Sequence, residues 1–348
     1  MTQSHGWAAQ NVAQPLAPFQ FSRRELHEQD VLVDILYCGV CHSDVHAVRN
    51  EWGNSVYPMV PGHEIIGRVA AVGAAVRRFK TGDLVGVGVI VDSCGSCSSC
   101  KSGEEQYCEV GITLTYGVRD RYGDLTMGGY SNNVITPEHF VHAVSPKLDP
   151  AGVAPLLCAG ITTYSPLRHW KIGPNKKVGV VGLGGLGHMA LKFAHAFGAH
   201  VVQFTTSESK IEDAKRLGAD EVVISRDSAA MKRQTSSFDF ILDTVSAPHD
   251  VNPYLEALKR DATYCQVGLP EKPPVIDPGN LLFKRRSWSG SIIGGMAETQ
   301  EMLNFCAEKN IVADVEVIPI QKISEAFDRV VKADVKYRFV IDMASLSA

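Results

Sequence analysis

Long apolar runs and a surplus of positive charge are both missing from this sequence of 348 residues. No run of eighteen apolar residues is present, which excludes an ordinary membrane-spanning helix. The formal net charge of −4 argues against a surface for nucleic acid. The first residues lack a positive segment followed by an apolar core, so we expect no secretory signal and a reducing, cytoplasmic location. The length suggests two domains.

Cysteine, by contrast, occurs nine times, and four copies stand in the run VDSCGSCSSCKSGEEQYCEV. Cys94, Cys97 and Cys100 have C-x-x-C-x-x-C spacing, and Cys108 follows them. Four thiolates in such a loop can surround one tetrahedral zinc ion and leave no position for water. The run therefore predicts a closed, structural zinc site. The alternative, a pair of disulfides, needs an oxidising compartment.

The chain falls into three stretches by pattern. Residues 1 to about 155 contain short apolar runs broken by glycine and proline, which predicts a β-rich, barrel-like lobe. From Lys176 onward, apolar strands alternate with amphipathic helices, which predicts an α/β domain with a parallel sheet covered on both faces. The last fifty residues, beginning near Glu298, hold one helix-like stretch and two strand-like runs. These either extend the parallel sheet or return to the first lobe.

A second set of metal-binding residue types predicts an open zinc site. Cys41 and His63 lie on either side of a turn-rich loop, and Cys158 offers a second thiolate from the junction of the lobes. Two thiolates and one imidazole, with a fourth position left for water or substrate, are the ligand set of a catalytic zinc ion. Asp44 can orient His63 through its other ring nitrogen, and Glu64 is a candidate transient ligand. Taken singly, each of these residues is better explained by a structural role. Their occurrence together favours a metal-binding role instead.

A nucleotide site is predicted where GLGGLG follows the strand KVGVV and opens an amphipathic helix. Glycines at this position let the backbone approach a pyrophosphate at the helix N-terminus. An NAD site would place Asp or Glu at the end of the next strand. This chain has hydroxyl groups and an ammonium group there instead, which suit the 2′-phosphate of NADP(H). Glu208 is the one discordant residue, and we expect it to point outward. The candidate cofactor-binding residues are Gly182, Leu183, Gly184, Gly185, Leu186, Gly187, Thr205, Thr206, Ser207 and Lys210.

The segment GHEIIG, residues 62–67, continues to Gly73 and Val76 and is similar to the signature of zinc alcohol dehydrogenases. With the four-cysteine run, the chain resembles the medium-chain dehydrogenase/reductase superfamily from about residue 5 to residue 345. The runs CHSD, NEWG, YPMVPGHE, DSCGSC and TTSESK are most similar to the cinnamyl-alcohol-dehydrogenase branch and its bacterial broad-range aldehyde reductases.

The resemblance implies a fold and an assembly. We expect a GroES-like β-barrel catalytic domain with a structural zinc lobe over residues 1–155. A Rossmann domain with a doubly wound parallel sheet should cover residues 156–295, and residues 296–348 should return to the catalytic domain. The strand SWSGSIIGG should close the nucleotide sheet and, by resemblance, continue it into a second copy, which implies a homodimer.

The resemblance also implies a zinc-dependent, NADP(H)-dependent alcohol dehydrogenase or aldehyde reductase that interconverts primary alcohols and aldehydes by hydride transfer. Ser43 would pass a proton to the product oxygen, and His46 would resupply it through the ribose. Thr113 and Ile292 depart from common plant members of the branch, which favours a broad aliphatic and aromatic range. The implied cofactor contacts are Ser43, Thr162, Thr244, Gly268, Ser291, Ile292 and Ile293, and the implied substrate contacts are Trp52, Val89, Thr113 and Ile292.

Three alternatives compete with this interpretation. A polyol or secondary-alcohol dehydrogenase of the same superfamily commonly lacks part of the cysteine lobe or carries the acidic NAD residue. A zinc-free quinone reductase would lack Cys41, His63 and Cys158. A non-catalytic zinc and nucleotide-binding protein of the lens-crystallin kind has no need for a relay such as Ser43 and His46. We therefore expect a small aldehyde or alcohol as the ligand, with neither nucleic acid nor membrane as a partner.

Overall fold

The computed structural model describes residues 2–270 and 272–347. Within them the chain divides into two compact units. The first holds the chain up to Ile161 together with the segment from Gly294 onward, and the second holds Thr162–Ile293. The first boundary lies inside a continuous helix, Ala159–His169, so no loop marks it in the sequence. The predicted bounds at residues 155 and 295 therefore differ from the structural ones.

Seventeen strands and eleven α-helices make up most of the regular structure of the described residues. The strands of the described residues are β1 (Thr2–Ala8), β2 (Ala17–Arg23), β3 (Asp30–Val40), β4 (Ile65–Val72), β5 (Leu84–Val87), β6 (Ile90–Ser93), β7 (Ile112–Leu114), β8 (Asn133–Pro137), β9 (Val141–Ala143), β10 (Lys177–Val181), β11 (His200–Thr205), β12 (Glu221–Ile224), β13 (Phe238–Asp243), β14 (Leu258–Gln266), β15 (Ser287–Gly290), β16 (Val315–Pro319) and β17 (Arg338–Asp342).

Short helices connect these strands. The α-helices of the described residues are α1 (His42–Val48), α2 (Ser98–Lys101), α3 (Pro150–Val153), α4 (Ala159–His169), α5 (Gly187–Ala196), α6 (Ile211–Arg216), α7 (Ser228–Arg233), α8 (Asn252–Ala257), α9 (Gly279–Leu282), α10 (Met296–Lys309) and α11 (Ile323–Val331). Single 3₁₀ turns lie at Glu105–Tyr107, Glu138–Phe140, Ala154–Leu157, Glu208–Lys210, Ile320–Lys322 and Met343–Ser347. None of the helices in the described part of the chain is long and apolar enough to cross a membrane.

The first unit is built on a mainly antiparallel sheet. Its strands follow the order β16-β17-β3-β4-β5-β9, and β8 also pairs with β3. Two of these strands come from the end of the chain, since β17 pairs antiparallel with β3 and places Ile341 opposite Cys38. The sheet surrounds a core of apolar side chains that includes Val33, Ile65 and Phe339. The C-terminal segment therefore completes the sheet of the first unit.

The second unit is a parallel sheet in the order β12-β11-β10-β13-β14-β15. Strand β10 is buried at four of its five positions, as a strand covered on both faces requires. The strand order reverses between β10 and β13, and ligands bind at such switch points beyond the carboxyl ends of the strands. Gly182 follows β10 and Thr244 follows β13, and the Thr244 hydroxyl donates to the carbonyl of Val181 at 2.8 Å.

Two local predictions need correction. The segment between Cys41 and His63, which the sequence suggests is a turn-rich loop, contains α1, because Asp44 accepts the backbone N–H of Cys41 at 2.9 Å and so caps the helix start. The last fifty residues hold two helices, α10 and α11, instead of one. The second is short, and it packs Ile323, Ala326 and Phe327 into the core of the first unit, which stabilises so short a helix.

Candidate active site

Four buried side chains of the first unit meet at one point. The donor atoms of Cys41, His63, Glu64 and Cys158 all lie within 4.8 Å of one another. Cys41 precedes α1, His63 and Glu64 precede β4, and Cys158 ends the 3₁₀ turn Ala154–Leu157. The two sulfurs are 4.0 Å apart. The fold thus brings together residues that are 117 positions apart in the chain.

The donor set fits a zinc ion. A tetrahedral zinc ion with Zn–S bonds of about 2.3 Å holds two sulfurs about 3.8 Å apart, close to the separation of Cys41 and Cys158. The Nε2 atom of His63 is buried and has no hydrogen-bond partner among the described residues. A buried polar atom of this kind is costly unless a ligand satisfies it. Two thiols and this nitrogen therefore form a three-ligand site suited to zinc.

Asp44 fixes the orientation of the imidazole. Its Oδ1 atom lies 3.2 Å from Nδ1 of His63 and accepts the backbone N–H of Gly62 at 3.1 Å. Its Oδ2 atom accepts the backbone N–H of Cys41 at 2.9 Å. Because Nδ1 is engaged by the carboxylate, Nε2 is the nitrogen left for a metal ion.

Glu64 is held by an arginine from the far end of the chain. Arg338 of β17 donates a hydrogen bond to Oε1 of Glu64, and both side chains are buried. Burial raises the pKa of Glu64 to about 7, although the positive charge of Arg338 opposes the shift. Gly39 of β3 leaves the necessary space, since a Cβ atom there would overlap Oε2 of Glu64. Sequence reasoning missed Arg338, and its one signal is a charged residue beginning the apolar strand RFVID.

The charges around the two thiols favour a thiolate. The hydrogen bond between the two sulfurs, together with the positive charge of Arg338, holds the pKa of Cys41 well below its ordinary value. Burial lowers the pKa of His63, but the charge of Asp44 and its hydrogen bond outweigh this and raise it well above its ordinary value. The hydrogen bond to Cys41, together with burial, raises the pKa of Cys158 well above its ordinary value, so Cys41 is the thiolate of the pair. Binding of a metal ion would displace the protons of Cys158 and His63.

Helix α1 carries the two candidate relay residues. Ser43 and His46 are three positions apart on this helix and therefore lie on the same face. The His46 ring stacks on His42 with centroids 4.6 Å apart and lies 5.2 Å from Trp52. Its Nδ1 atom contacts the carboxylate of Glu51. The sequence analysis did not identify Glu51 as a site residue. Its contact with His46 becomes evident only once α1 is known to be helical.

The four-cysteine loop forms a second donor cluster in the first unit. The sulfurs of Cys94, Cys97, Cys100 and Cys108 lie within 4.8 Å of one another, and those of Cys94 and Cys100 are 3.9 Å apart. Backbone N–H groups point at the sulfurs, including that of Cys97 toward Cys94 at 3.3 Å. Such donors from Ser96 and Cys97 lower the pKa of Cys94 to about 6. Four sulfurs at this spacing fit a tetrahedral zinc ion with no open position.

The glycine-rich loop of the second unit leaves room for a phosphate. Gly182 has a positive φ of 87°, and a Cβ atom there would lie 2.6 Å from Val245. A Cβ atom at Gly187, the first residue of α5, would overlap the carbonyl oxygen of Gly182. A Cβ atom at Gly184 would meet nothing within 4 Å, so the backbone is open at that point. This shape suits a pyrophosphate at the start of α5.

Hydroxyl groups stand at the end of β11 and just after it, and the one acid of this segment, Glu208, is exposed. Thr205 is buried, Thr206 is exposed, and the hydroxyls of Ser207 and Ser209 are 2.7 Å apart. The ammonium group of Lys210 donates to the carbonyl of Leu183 in the glycine-rich loop at 2.8 Å, and burial lowers its pKa. The structure therefore brings Lys210 to the loop that the sequence predicts to hold the pyrophosphate.

The remaining candidates are spread over both units. In the first unit, Trp52 is 48% exposed and lies beside His46, while Val89 and Thr113 are half-buried. In the second unit, Ile292 is 56% exposed. The other predicted cofactor contacts, all placed in the second unit, are Thr162, Thr244, Gly268, Ser291 and Ile293.

Comparison with known protein families identifies the chain. Residues 27–146 match the alcohol dehydrogenase GroES-like domain, and residues 185–308 match the zinc-binding dehydrogenase domain. Aldehyde reductase YahK of Escherichia coli is 56% identical, with 97% of this chain and 98% of that protein aligned. Cinnamyl alcohol dehydrogenase 2 of Rauvolfia serpentina is 52% identical, with 98% of this chain and 95% of that protein aligned. The chain belongs to the zinc-binding alcohol dehydrogenase family.

Solved structures agree with this assignment. A cinnamyl alcohol dehydrogenase of Sorghum bicolor superposes with a TM-score of 0.95 at 44% identity, covering 99% of this chain and 98% of that one. The Helicobacter pylori enzyme of the same kind, solved with NADP(H), gives a TM-score of 0.92 at 41% identity and covers 99% of each chain. The predicted fold class and the resemblance to the cinnamyl-alcohol-dehydrogenase branch are confirmed.

Proposed function

We propose that this protein is a zinc-dependent, NADP(H)-dependent oxidoreductase that interconverts primary alcohols and aldehydes, both aliphatic and aromatic. The observation that carries the proposal is the buried cluster of Cys41, His63 and Cys158, in which an imidazole nitrogen has no hydrogen-bond partner among the described residues. Three protein ligands leave one metal position for an alcohol or aldehyde oxygen. The four-cysteine cluster takes a second, structural zinc ion.

When bound, zinc supplies Lewis-acid polarisation of the carbonyl group, and NADPH supplies the hydride. The protein must also provide a proton to the product oxygen. Ser43 stands two residues after Cys41 and donates it, and His46, near the end of α1, resupplies the proton through the ribose hydroxyl of the bound cofactor. Glu51 holds the His46 ring through Nδ1, which leaves Nε2 to exchange protons. Asp44 keeps His63 in the orientation needed for metal binding.

The choice of NADP(H) rests on the residues after β11. A carboxylate there would repel a 2′-phosphate, and this chain has Thr205, Thr206 and Ser207 instead. Lys210 already reaches the glycine-rich loop and adds a positive charge that can be shared with a phosphate. The NADP(H) complex of the Helicobacter pylori relative supports this choice.

The substrate range rests on Trp52, Val89, Thr113 and Ile292, which supply one aromatic ring and short or aliphatic side chains. Side chains of these types suit apolar aldehydes without strong selection among them. One alternative substrate class has specific support: the mannitol dehydrogenase of Petroselinum crispum is 52% identical, with 95% of this chain and 98% of that protein aligned. A polyol is therefore the second candidate.

We also propose a homodimer in the reducing cytoplasm. Strand β15 is at one edge of the second unit's sheet and pairs with β14 alone among the described strands. Large apolar side chains are exposed on the segments leading to it, including Leu282 at 76% and Phe283 at 90%. A second copy would satisfy the strand edge and cover such residues. The two thiol clusters need reduced cysteines to bind zinc, which supports the compartment.

The test is an activity screen on protein purified without added metal. Aliphatic aldehydes, aromatic aldehydes and mannitol should be compared with NADPH and NADH, or with their oxidised forms for mannitol. We expect turnover of both aldehyde classes with NADPH, a marked preference over NADH, and loss of turnover after removal of zinc by a chelator. Faster turnover of mannitol than of any aldehyde would favour the polyol alternative, and absence of turnover with every substrate would contradict the proposal.

A further inference from the structure

Tyr130 reaches the site from a distant loop. Its hydroxyl donates to Oδ2 of Asp44 at 3.2 Å, and the two residues are 86 positions apart in the chain. Both side chains are fully buried. The same carboxylate engages His63 through Oδ1 at 3.2 Å. Tyr130 is therefore one hydrogen bond removed from the candidate metal ligand.

The backbone around Tyr130 is aligned with the segment that leads into His63. Gly128 donates to Val60 at 2.7 Å, and Tyr130 donates to Pro61 at 2.9 Å. A Cβ atom at Gly62 would lie 2.5 Å from the Tyr130 ring. Residues 128–130 and 60–62 thus form two paired segments in direct contact, and His63 follows immediately.

A buried arginine holds the other side of this loop. Arg23 of β2 donates to the carbonyl of Met127 at 2.9 Å and to that of Gly128 at 3.3 Å. It also donates to the hydroxyl of Ser131 at 2.9 Å. Burial lowers the pKa of Arg23 to about 9. A buried guanidinium needs such acceptors, and these hydrogen bonds attach residues 127–131 to β2.

We propose that Tyr130 is a positioning residue for the metal-binding imidazole: its hydroxyl holds the Asp44 carboxylate, which in turn holds His63 with Nε2 toward the two sulfurs. The inference rests on the proposed function, since it assumes that Cys41, His63 and Cys158 bind zinc. Outer partners of metal ligands orient the ligand and typically change metal affinity by about 10- to 100-fold. Asp44 keeps the backbone donors of Cys41 and Gly62 when the hydroxyl is lost, so we expect an effect near the lower end of that range.

A purely space-filling role for Tyr130 predicts something different. Its ring lies 6.5 Å from that of Phe327, and phenylalanine would keep this packing. The chain offers a matched control in the second unit, where the buried hydroxyl of Tyr264 donates to the buried carboxylate of Asp243 at 2.7 Å. Tyr264→Phe removes the same kind of hydrogen bond from a carboxylate that holds no candidate metal ligand.

The experiment measures zinc affinity of the full chain directly. Wild type, Tyr130→Phe and Tyr264→Phe are titrated with a chromogenic zinc chelator, and the same proteins are loaded with Co²⁺ to record the absorption of the three-ligand site. We expect Tyr130→Phe to bind one of its two zinc ions about tenfold more weakly and to show an altered Co²⁺ spectrum. The zinc ion of the four-cysteine loop should be unaffected, and Tyr264→Phe should match wild type in both measurements.

A second variant tests whether a neighbouring tyrosine takes over the role of Tyr130 when its hydroxyl is removed. Tyr116 also lies beside the site, with its ring 5.9 Å from that of His63. We expect the double variant Tyr116→Phe/Tyr130→Phe to lose more zinc affinity than either single variant. Unchanged zinc affinity and an unchanged Co²⁺ spectrum in Tyr130→Phe, with two zinc ions in wild type, would overturn the inference alone. A wild type that binds a single zinc ion would overturn the proposed function and the inference together.

Discussion

The carboxylate of Glu105 accepts the backbone N–H of Met296 at 2.9 Å, and the two residues are 191 positions apart. Glu105 lies in the four-cysteine loop and is 2% exposed, while Met296 is the first residue of α10. The other carboxylate oxygen lies 2.7 Å from Nε2 of His139. A Cβ atom at Gly295 would overlap the carbonyl of Gly103. The four-cysteine loop therefore fixes the start of α10, where the chain re-enters the first unit.

Replacing Glu105 with Gln should lower the free energy of unfolding by about 1–2 kcal/mol, because a carboxylate near a helix N-terminus is favourable and a neutral amide is not. The measurement is urea unfolding of zinc-loaded protein. Glu104→Gln is the matched control, since Glu104 is exposed and should tolerate the change.

The difference in unfolding free energy between wild type and Glu105→Gln should depend on pH. Burial tends to raise the pKa of Glu105, but His139 and the Met296 N–H outweigh it and lower the pKa below its ordinary value. A group with a lowered folded-state pKa stabilises the protein above its unfolded-state pKa, here about 4.3, and loses this effect as the pH falls through the folded-state pKa. The stability difference between wild type and Glu105→Gln should therefore be full near neutral pH and vanish in acid. A difference that is constant down to acid pH would contradict this account.

Cofactor preference should respond to charge after β11. Thr206→Asp places a carboxylate beside the predicted 2′-phosphate position and should weaken NADPH binding about ten- to a hundredfold, corresponding to roughly 1.5–3 kcal/mol. NADH should gain by comparison. Thr235→Asp adds the same charge at another exposed threonine of the second unit and should leave the preference unchanged. Fluorescence titration with both nucleotides measures the effect, and a wild type that prefers NADH would refute the assignment.

The proposed relay makes a graded prediction. Ser43→Ala should reduce turnover by about a hundred- to ten-thousandfold with zinc content unchanged, because the product oxygen loses its adjacent proton donor. His46→Gln should reduce turnover moderately, since water can partly replace an outer member. Glu51→Gln should resemble a weaker form of the His46 variant. Near-normal turnover in both Ser43→Ala and His46→Gln would show that the proton takes another route.

The features that could be predicted from the sequence are those whose residues lie close together in the chain. The four cysteines and GLGGLG each lie within one short segment, so their residue types and intervals alone indicate a zinc loop and a phosphate loop. The alternation of strands and helices from Lys176 predicted the parallel sheet for the same reason, since its central strands β10, β11 and β13 are buried along most of their length. For Cys41, His63 and Cys158, the resemblance to a known family supplied what spacing could not.

The contacts that the sequence did not reveal join residues far apart in the chain. Arg338 reaches Glu64 across 274 positions and Tyr130 reaches Asp44 across 86, and no local pattern specifies such pairs. Helix α1 was missed because Cys41 is a poor helix cap by residue type, and the cap is supplied by the side chain of Asp44. The boundary between the units was missed because it falls within α4.

The most direct test of the central claim is the turnover of Cys158→Ser with NADPH and benzaldehyde, compared with Cys100→Ser in the same assay. If Cys41, His63 and Cys158 hold the reactive zinc ion, Cys158→Ser should lose more than about a hundredfold in turnover while keeping its fold and one zinc ion. Cys100→Ser should lose the other zinc ion and thermal stability but retain turnover at low temperature. Wild-type turnover by a Cys158→Ser protein that carries a single zinc ion would contradict the account.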